Sequence, residues 1–423
     1  MLIVNPKREN ETIEVKPYWY QYYAGYSHTF TQKILESVEL THSSVILDPW
    51  NGGGTTTLMA SANGFRSIGV DLNPVMKVIA LAKQAVKSDI ETINKKLIKI
   101  NARGKSINIK NDPLLTWFDF PSVKHIRKIE NFILEGSTHE STLEKVDSLT
   151  NAQCLMYTGL FNCVRAHLDS FIPSNPTWVK KPKAEEKKIS ISWTAIKNQY
   201  ISHVQDMVNG IDIADHQWHK DTANIIIGSS TNLPIKSSSV DFILTSPPYC
   251  TRIDYGIATL PELSILCTNG ENEIDLIRRQ LMGTTTVPKE INLSVNKLTE
   301  KCICFLEAVK SHSSKASKSY YYKNLAQYFI SLNLSIKEIE RVLVKNSKFI
   351  CVVQDSFYKN IHCDLPEIIS EMAESRGLRL REKIEFEIKK NMVNLNTKSK
   401  QYRSKSTAFE SVLIFEKGEK NEQ

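Results

Sequence analysis

The segment from Val45 to Asp71 constrains the fold more tightly than any other part of the chain. Val45-Ile46-Leu47 is a short apolar, β-branched run of the kind that forms a strand buried on both faces. It runs into Asp48-Pro49-Trp50-Asn51-Gly52-Gly53-Gly54-Thr55-Thr56, and a helix-like stretch continues through Leu58, Met59 and Ala60. In such a strand, turn and helix the glycines let the backbone reverse sharply and let a ligand approach without meeting a Cβ. The next strand, Ser67-Ile68-Gly69-Val70, ends at Asp71, where an acid suits hydrogen bonding to ribose hydroxyls. Asn73-Pro74 then opens another helix, with proline in its first turn. The glycines are not followed by Lys-Ser/Thr, which argues against a nucleoside triphosphate in this loop.

A second motif lies far downstream. Val240-Asp241-Phe242-Ile243-Leu244 reads as a buried strand and leads into Thr245-Ser246-Pro247-Pro248-Tyr249. The two prolines stiffen the loop and remove two N–H donors. What remains is a set of acceptors, the Ser246 hydroxyl and the carbonyls of Ser246 and Pro247, beside the aromatic face of Tyr249. An amino group that loses a proton while attacking a methyl group needs such acceptors, and a base turned out of a helix needs a ring to stack on.

Together the two motifs resemble those of amino-group DNA methyltransferases that use S-adenosylmethionine. In that family an Asp-Pro-Phe-x-Gly-x-Gly-Thr type motif binds the methionine part of the cofactor, and an Asp/Asn/Ser-Pro-Pro-Tyr/Phe motif holds the target amino group. The resemblance implies that Asp48, Pro49, Trp50, Gly52, Gly54 and Thr55 form the cofactor loop, with Trp50 where the family usually has Phe. It implies that Asp71 takes the ribose hydroxyls, with Asn73 beside it, and that Ser246, Pro247, Pro248 and Tyr249 hold the base. Tyr26 to Leu35 matches the family's first helix, in which Thr29 and Phe30 would close over the methionine end. After Ala223-Asn224-Ile225-Ile226-Ile227-Gly228 the family often carries an acid near the cofactor's adenine, and this chain has Ser229 there.

Later segments continue the alternation. Ile336 to Val344 reads as an amphipathic helix, Lys348 to Val353 as a buried strand, Leu365 to Glu374 as a helix with Gly377 at its stop, and Glu410 to Phe415 as a last strand. The fold expected is α/β, a Rossmann-like class I methyltransferase sheet with helices on both faces. Residues 1–85 and 219–423 would form the catalytic domain. Residues 86–218 would be an inserted, mainly helical region, with helix-like stretches from Leu114 to Leu134 and from Leu155 to Leu168. A smaller insertion would span 260–318, with a mobile Ser/Lys-rich loop at Ser311 to Ser319. By the resemblance, the first insertion reads double-stranded DNA and the second helps to close over the flipped base.

The remaining features place limits on this reading. The 423 residues suffice for a large core and carry a formal net charge of +8, which suits nucleic acid without requiring it. Basic stretches with aromatic neighbours occur at Trp178 to Lys188, around Tyr320-Tyr321-Tyr322 with Lys315, Lys318 and Lys323, and around Tyr402 with Lys398, Lys400, Arg403 and Lys405. Each also suits a solvated loop, and the tyrosine run suits core packing. The 8 cysteines have no metal-binding spacing and are read as reduced and structural. Cys250 adjoins the second motif, but a nitrogen target needs no cysteine nucleophile. With no signal peptide or membrane-length apolar run, a cytoplasmic protein is expected. Within the family, Ser-Pro-Pro-Tyr accompanies cytosine N4 more often than adenine N6, so N4 is the first expectation and N6 the second. A guanine-N2 RNA enzyme remains an alternative, and so does a binding protein that has kept the fold without the chemistry. A restriction-modification setting with a cognate endonuclease completes the expectation.

Overall fold

The structure, a computed structural model, describes residues 3–7, 16–21, 25–101, 109–173, 178–183, 187–213, 219, 221–250, 253–268, 270–291, 298–388 and 408–418. Its centre is a seven-stranded sheet. The strands are β1 (Val45–Asp48), β2 (Arg66–Asp71), β3 (Ala223–Ile227), β4 (Val240–Thr245), β5 (Leu343–Gln354), β8 (Leu378–Ile388) and β9 (Ala408–Lys417); β6 (Ser356–Tyr358) and β7 (Ile361–Cys363) form a separate hairpin. The order across the sheet is β3-β2-β1-β4-β5-β9-β8. The first five strands in that order pair in parallel, and β9 runs antiparallel between β5 and β8. This is the Rossmann-like methyltransferase sheet that the motifs implied. The chain winds one way from β1 to β3 and the other way from β4, so the order reverses between β1 and β4. Ligands of open α/β sheets bind beyond the carboxyl ends of the strands at such a switch point.

Two-residue alternation explains why the strands are apolar throughout. Ile46, Phe242, Leu244, Ile350, Val352, Val412 and Ile414 pack on one face with helix α1 (His28–Ser37) and with Met59 and Ala60 of α2 (Thr55–Ala62). Their neighbours Leu47, Ile243, Phe349, Cys351, Val353, Leu413 and Phe415 pack on the other face. Both sides of each central strand are covered, so neither set can be polar.

The helices α3 (Pro74–Lys83), α4 (Lys87–Lys99), α5 (Phe120–Ile133), α6 (Thr142–Asp147), α7 (Asn151–Ala166) and α8 (Trp193–Ile213) precede β3. From α4 onward they occupy the expected inserted region and share one core with α3. Local signals set their starts: Asn73 caps α3 ahead of Pro74, Asp119 caps α5 ahead of Pro121, and Thr150 with Gln153 makes a capping box on α7. Three short helices follow β4, namely α9 (Tyr255–Ala258), α10 (Leu260–Leu266) and α11 (Glu271–Gln280). Then come α12 (Glu300–Ser311), α13 (Tyr322–Val342) and α14 (Leu365–Glu374), which cover the second face of the sheet. No described helix is long and apolar enough to cross a membrane.

Several segments differ from their sequence reading. The helix expected from Ile336 ends at Val342, and β5 already begins at Leu343. The Ser311 to Ser319 stretch forms a turn and a π-helical entry to α13, where the buried Ser317 hydroxyl lies 2.6 Å from that of Tyr358. The strand β8 was not anticipated, although Ile384, Phe386 and Ile388 alternate with Glu385 and Glu387. It is an edge strand, and its exposed charges, among them Arg381, Lys383 and Glu385, guard the edge against pairing with another chain.

Gly69 in β2 is required by a close approach. A Cβ there would come within 2.4 Å of the Asn51 side chain, which the glycine loop folds against the strand. Gly69→Ala should therefore lower unfolding free energy by about 1–3 kcal/mol, as overpacking does. Urea denaturation of the two proteins measures it, and an unchanged midpoint would contradict this packing.

Candidate active site

The two sequence motifs meet at the switch point. Asp48, the last residue of β1, and Thr245, the last residue of β4, are 197 residues apart in sequence, yet the Thr245 hydroxyl donates to Asp48 Oδ1 at 2.5 Å. The same oxygen accepts the Trp50 N–H at 3.1 Å. Asp48 Oδ2 accepts from the Thr56 hydroxyl at 2.7 Å and from the Tyr26 hydroxyl at 3.3 Å. One buried carboxylate thus joins the first helix segment, the glycine loop, α2 and the strand that delivers Ser246. Burial pushes its pKa up to about 6 against the lowering effect of these four donors. Asp48 is therefore saturated by the protein itself and acts by holding the loop.

Asp71 is arranged differently. Its Oδ2 accepts the Gly52 N–H and its Oδ1 the Asn73 N–H, both at 2.9 Å. Each oxygen keeps acceptor capacity, and Asp71 lines the cleft. Burial pushes its pKa up to about 6 as well, with the nearby Asp48 charge adding to the rise. Asn73 caps α3 through its Oδ1 and donates from Nδ2 to the Thr259 hydroxyl at 2.9 Å. Lys83, buried under the loop, donates to the Gly53 carbonyl at 2.7 Å. Gly54 takes φ +78° at the start of α2, and a Cβ on it would lie 2.8 Å from Ala80 Cβ.

Above these residues lies an open cleft. Its walls include Asp48, Pro49, Trp50, Gly52, Thr55, Asp71, Asn73 and Ser229 from the cofactor set, and Ser246, Pro247, Pro248 and Tyr249 from the second motif. The Ser229 hydroxyl lies 2.8 Å from that of Thr231. Three expected residues lie elsewhere. Phe30 is fully buried in the core with Tyr26, Thr29 is exposed, and Gly54 supports the loop from behind. The part of the first segment that reaches the cleft is Gly25 and Tyr26, because Ser27 caps α1 and the turns beyond it fold against the sheet.

The second motif is gripped by two phenols. The Tyr249 N–H, the first donor after the two prolines, donates to the Tyr255 hydroxyl at 3.0 Å. The Tyr328 hydroxyl donates to the Pro248 carbonyl at 2.8 Å. The Ser246 hydroxyl makes no hydrogen bond with a described residue, so it remains an acceptor at the cleft wall. Cys250 points away into an apolar cluster and is absent from the cleft lining, as a structural role requires. Tyr255, Thr259, Ser331 and the Gln280-Leu281-Met282 segment complete the walls. The sequence carried no local motif for them, since their roles depend on where α9–α11 and α13 fold.

The cleft suits a cofactor of the adenosyl amino-acid type. The Asn51 Nδ2 and Trp50 Nε1 atoms of two lining residues are buried with no hydrogen-bond partner among the described residues. Asp71 offers the acceptor for hydroxyls, and the glycines let backbone approach closely. No group of three potential metal ligands occurs among the described residues.

The basic stretches are partly structural. Val179 is buried, the Lys180 carbonyl accepts from the Trp117 indole at 2.9 Å, and Lys181 pairs with Glu271 at the surface. The Tyr320 hydroxyl donates to the Thr285 carbonyl at 3.0 Å, and Tyr321 packs on Tyr358. The stretch around Tyr402, from Lys398 to Lys405, lies outside the described residues.

Comparison with known proteins agrees with the motifs. No protein-family model matches the chain. The chain is similar to the type II methyltransferase M.BsoBI of Geobacillus stearothermophilus, with 26% identity over 293 residues, covering 63% of this chain and 55% of that protein. It is similar to the type II methyltransferase M.AvaI of Nostoc sp., 23% identical across 86% of this chain and 79% of that protein. A third, the type II methyltransferase M.MvaI of Kocuria varians, is 23% identical across 80% of this chain and 77% of that protein. The match to M.BsoBI thus spans little more than half of that protein's length.

If Asp71 holds ligand hydroxyls, its ionised form is the better acceptor, and protonation below about pH 6 would remove part of that capacity. Affinity for S-adenosylmethionine should fall as pH is lowered from 8 to 5. Asp71→Asn should bind about tenfold or more weakly at pH 8, since a hydrogen bond to a charged group is worth roughly 1.5–3 kcal/mol, and should lose the steeper part of the pH dependence. Calorimetric titration across this range checks both. An unchanged slope in the variant would remove Asp71 from the ligand.

Proposed function

We propose that this chain is a site-specific DNA methyltransferase that transfers a methyl group from S-adenosylmethionine to the exocyclic amino group of a flipped base, with cytosine N4 as the target. The observation that carries the reading is that one cleft is walled at once by the glycine loop with Asp71 and by Ser246-Pro247-Pro248-Tyr249. The similarity to proteins named type II methyltransferases supports it and motivates a restriction-modification setting with a cognate endonuclease.

In this reading Asp71 takes the ribose hydroxyls, Ser229 lies on the adenine side, and the loop from Pro49 to Thr55 holds the amino-acid end. S-adenosylmethionine supplies a methyl carbon made electrophilic by its sulfonium. The chain's own residues supply position. The Tyr249 ring offers a stacking face for a base drawn out of the duplex, an extrusion that costs a few kcal/mol. The Ser246 hydroxyl and the Pro247 carbonyl accept hydrogen bonds from the target amino group, which aims its lone pair and draws off proton density as the nitrogen attacks. The two phenols that grip the loop keep these acceptors in place, so little reorganisation is needed. A carbon target would need a reactive thiolate, and Cys250 is buried in an apolar cluster.

A hydroxyl at position 246 favours cytosine over adenine, because a carboxylate or amide can do more at an adenine edge. The inserted helices from α4 to α8 are assigned to DNA readout.

Nucleoside mass spectrometry on DNA from a methylation-free host expressing the protein tests the proposal. N4-methylcytosine should appear and be lost with Ser246→Ala. That variant should lower turnover about 100-fold, the scale of one lost positioning contact, and leave cofactor affinity within about twofold. N6-methyladenine would overturn the cytosine assignment, and a modified base confined to RNA would overturn the DNA assignment.

A further inference from the structure

The short helices α9 and α10, directly after the catalytic loop, lie between that loop and the inserted helices. On the cleft side they make two contacts. The Tyr255 hydroxyl of α9 accepts the Tyr249 N–H at 3.0 Å, and the Thr259 hydroxyl accepts from Asn73 Nδ2 at 2.9 Å. Tyr255 and Thr259 also line the cleft. One bracket therefore touches the base-holding motif and the cofactor-side helix together.

On the opposite side the bracket is held by cations from the insertion. The Arg165 guanidinium of α7 grips both oxygens of Glu262, at 2.6 and 2.7 Å, and donates to the Ala258 carbonyl at 2.8 Å. Ala258 is the residue before Thr259 and lies in the same helical turn as Tyr255. The Glu262 side chain is fully buried, so this fork is shielded from water. Arg127 donates to the carbonyls of Ser264 and Ile265 at 2.7 and 2.5 Å, and Lys145 to that of Leu266 at 2.5 Å. Those carbonyls close the last turn of α10, where cations are favoured by the unpaired carbonyl groups. Arg127 and Lys145 are themselves fixed to Asp112 and Glu130 inside the insertion.

We infer that Arg165 is a positioning residue for the reaction: through the Glu262 and Ala258 fork it holds Tyr255 against the Tyr249 N–H, so that the inserted helices set the geometry of the catalytic loop. A guanidinium can engage a carboxylate on two oxygens and a carbonyl in the same plane, whereas an ammonium lacks that fixed fork. Displacing the bracket leaves the Ser246 acceptors present but misaimed, and misplacement of about 1 Å can cost on the order of 100-fold in rate. The inference rests on the methyltransferase reading for its kinetic consequence but not for its structural one.

Arg165→Lys in the full chain tests it, with Glu262→Gln as a second variant that preserves shape if the first folds poorly. Both should keep S-adenosylmethionine affinity and KM for DNA within about twofold, while kcat falls at least about tenfold. Hydrogen exchange at the Tyr249 amide should quicken about tenfold or more relative to the wild type. Joint replacement of the pair, Arg165→Met with Glu262→Met, should recover thermal stability without recovering kcat. Recovery of both together, or kcat and Tyr249 exchange unchanged in the single variants, would overturn the inference. If the wild type transfers no methyl group to DNA, the functional reading fails, and the exchange measurement still decides the bracket.

Discussion

The hydrogen bond between the Thr245 hydroxyl and the Asp48 carboxylate is the interaction on which the site depends. It fastens the carboxyl end of β4 to that of β1, the pair of strands where the sheet order reverses. The glycine loop and the Pro-Pro loop both begin one residue beyond it. Pro49 and Trp50 follow Asp48, and Ser246 follows Thr245. With the Trp50 N–H and the hydroxyls of Thr56 and Tyr26 on the same carboxylate, the glycine loop and the Pro-Pro loop become one body. In the proposed reaction their relative position decides whether an amino nitrogen can reach a methyl carbon, and the fold arranges it before substrates bind.

That arrangement works against the preference of buried acids to be neutral. Burial pushes both Asp48 and Asp71 up to about 6, well above the ordinary carboxylate range. A folded state with raised carboxyl pKa values binds more protons than the unfolded chain between the ordinary value and about 6. These two groups therefore favour the fold most in acid, and that contribution is lost as pH rises through this window. At neutral pH, donors to the charged forms offset part of the penalty: four for Asp48 from the protein, and two for Asp71 with room for hydroxyls of a ligand. The two acids differ in role because one is saturated and the other is not. Residue type alone does not distinguish them.

Much of this was legible in the sequence, for a physical reason. The central strands must be apolar on both faces, and their loops need glycine, proline or acid at fixed places, so β1, β2 and β4 with their motifs stood out. Leu365–Glu374 forms the helix that its sequence predicts, with Gly377 after its end, and the structure adds that Asp364 caps its start ahead of Pro366. What was missed depends on long-range packing. Thr29 and Phe30 were assigned to the cleft by resemblance, but the Ser27 cap turns Phe30 into the core and leaves Gly25 and Tyr26 at the opening. Tyr255 and Tyr328 belong to no motif, and Thr245, which opens the second one, gains its role only from a partner brought near by the fold. The buried ion pairs of Glu130 with Arg127 and Lys145, and of Arg165 with Glu262, leave no mark in the sequence, because charge spacing along a helix does not reveal burial.

Thr245 offers the most direct test that Asp48 unites the two motifs, because it is fully buried and absent from the cleft lining. The measurement is the dissociation constant for S-adenosylmethionine in Thr245→Val, a near-isosteric change, determined by calorimetry alongside the wild type. The account predicts weakening of about tenfold, since the variant removes a charge-assisted hydrogen bond from the carboxylate that shapes the cofactor loop. An affinity within about twofold of the wild type would contradict it, and the two loops would then be held in register by something other than Asp48.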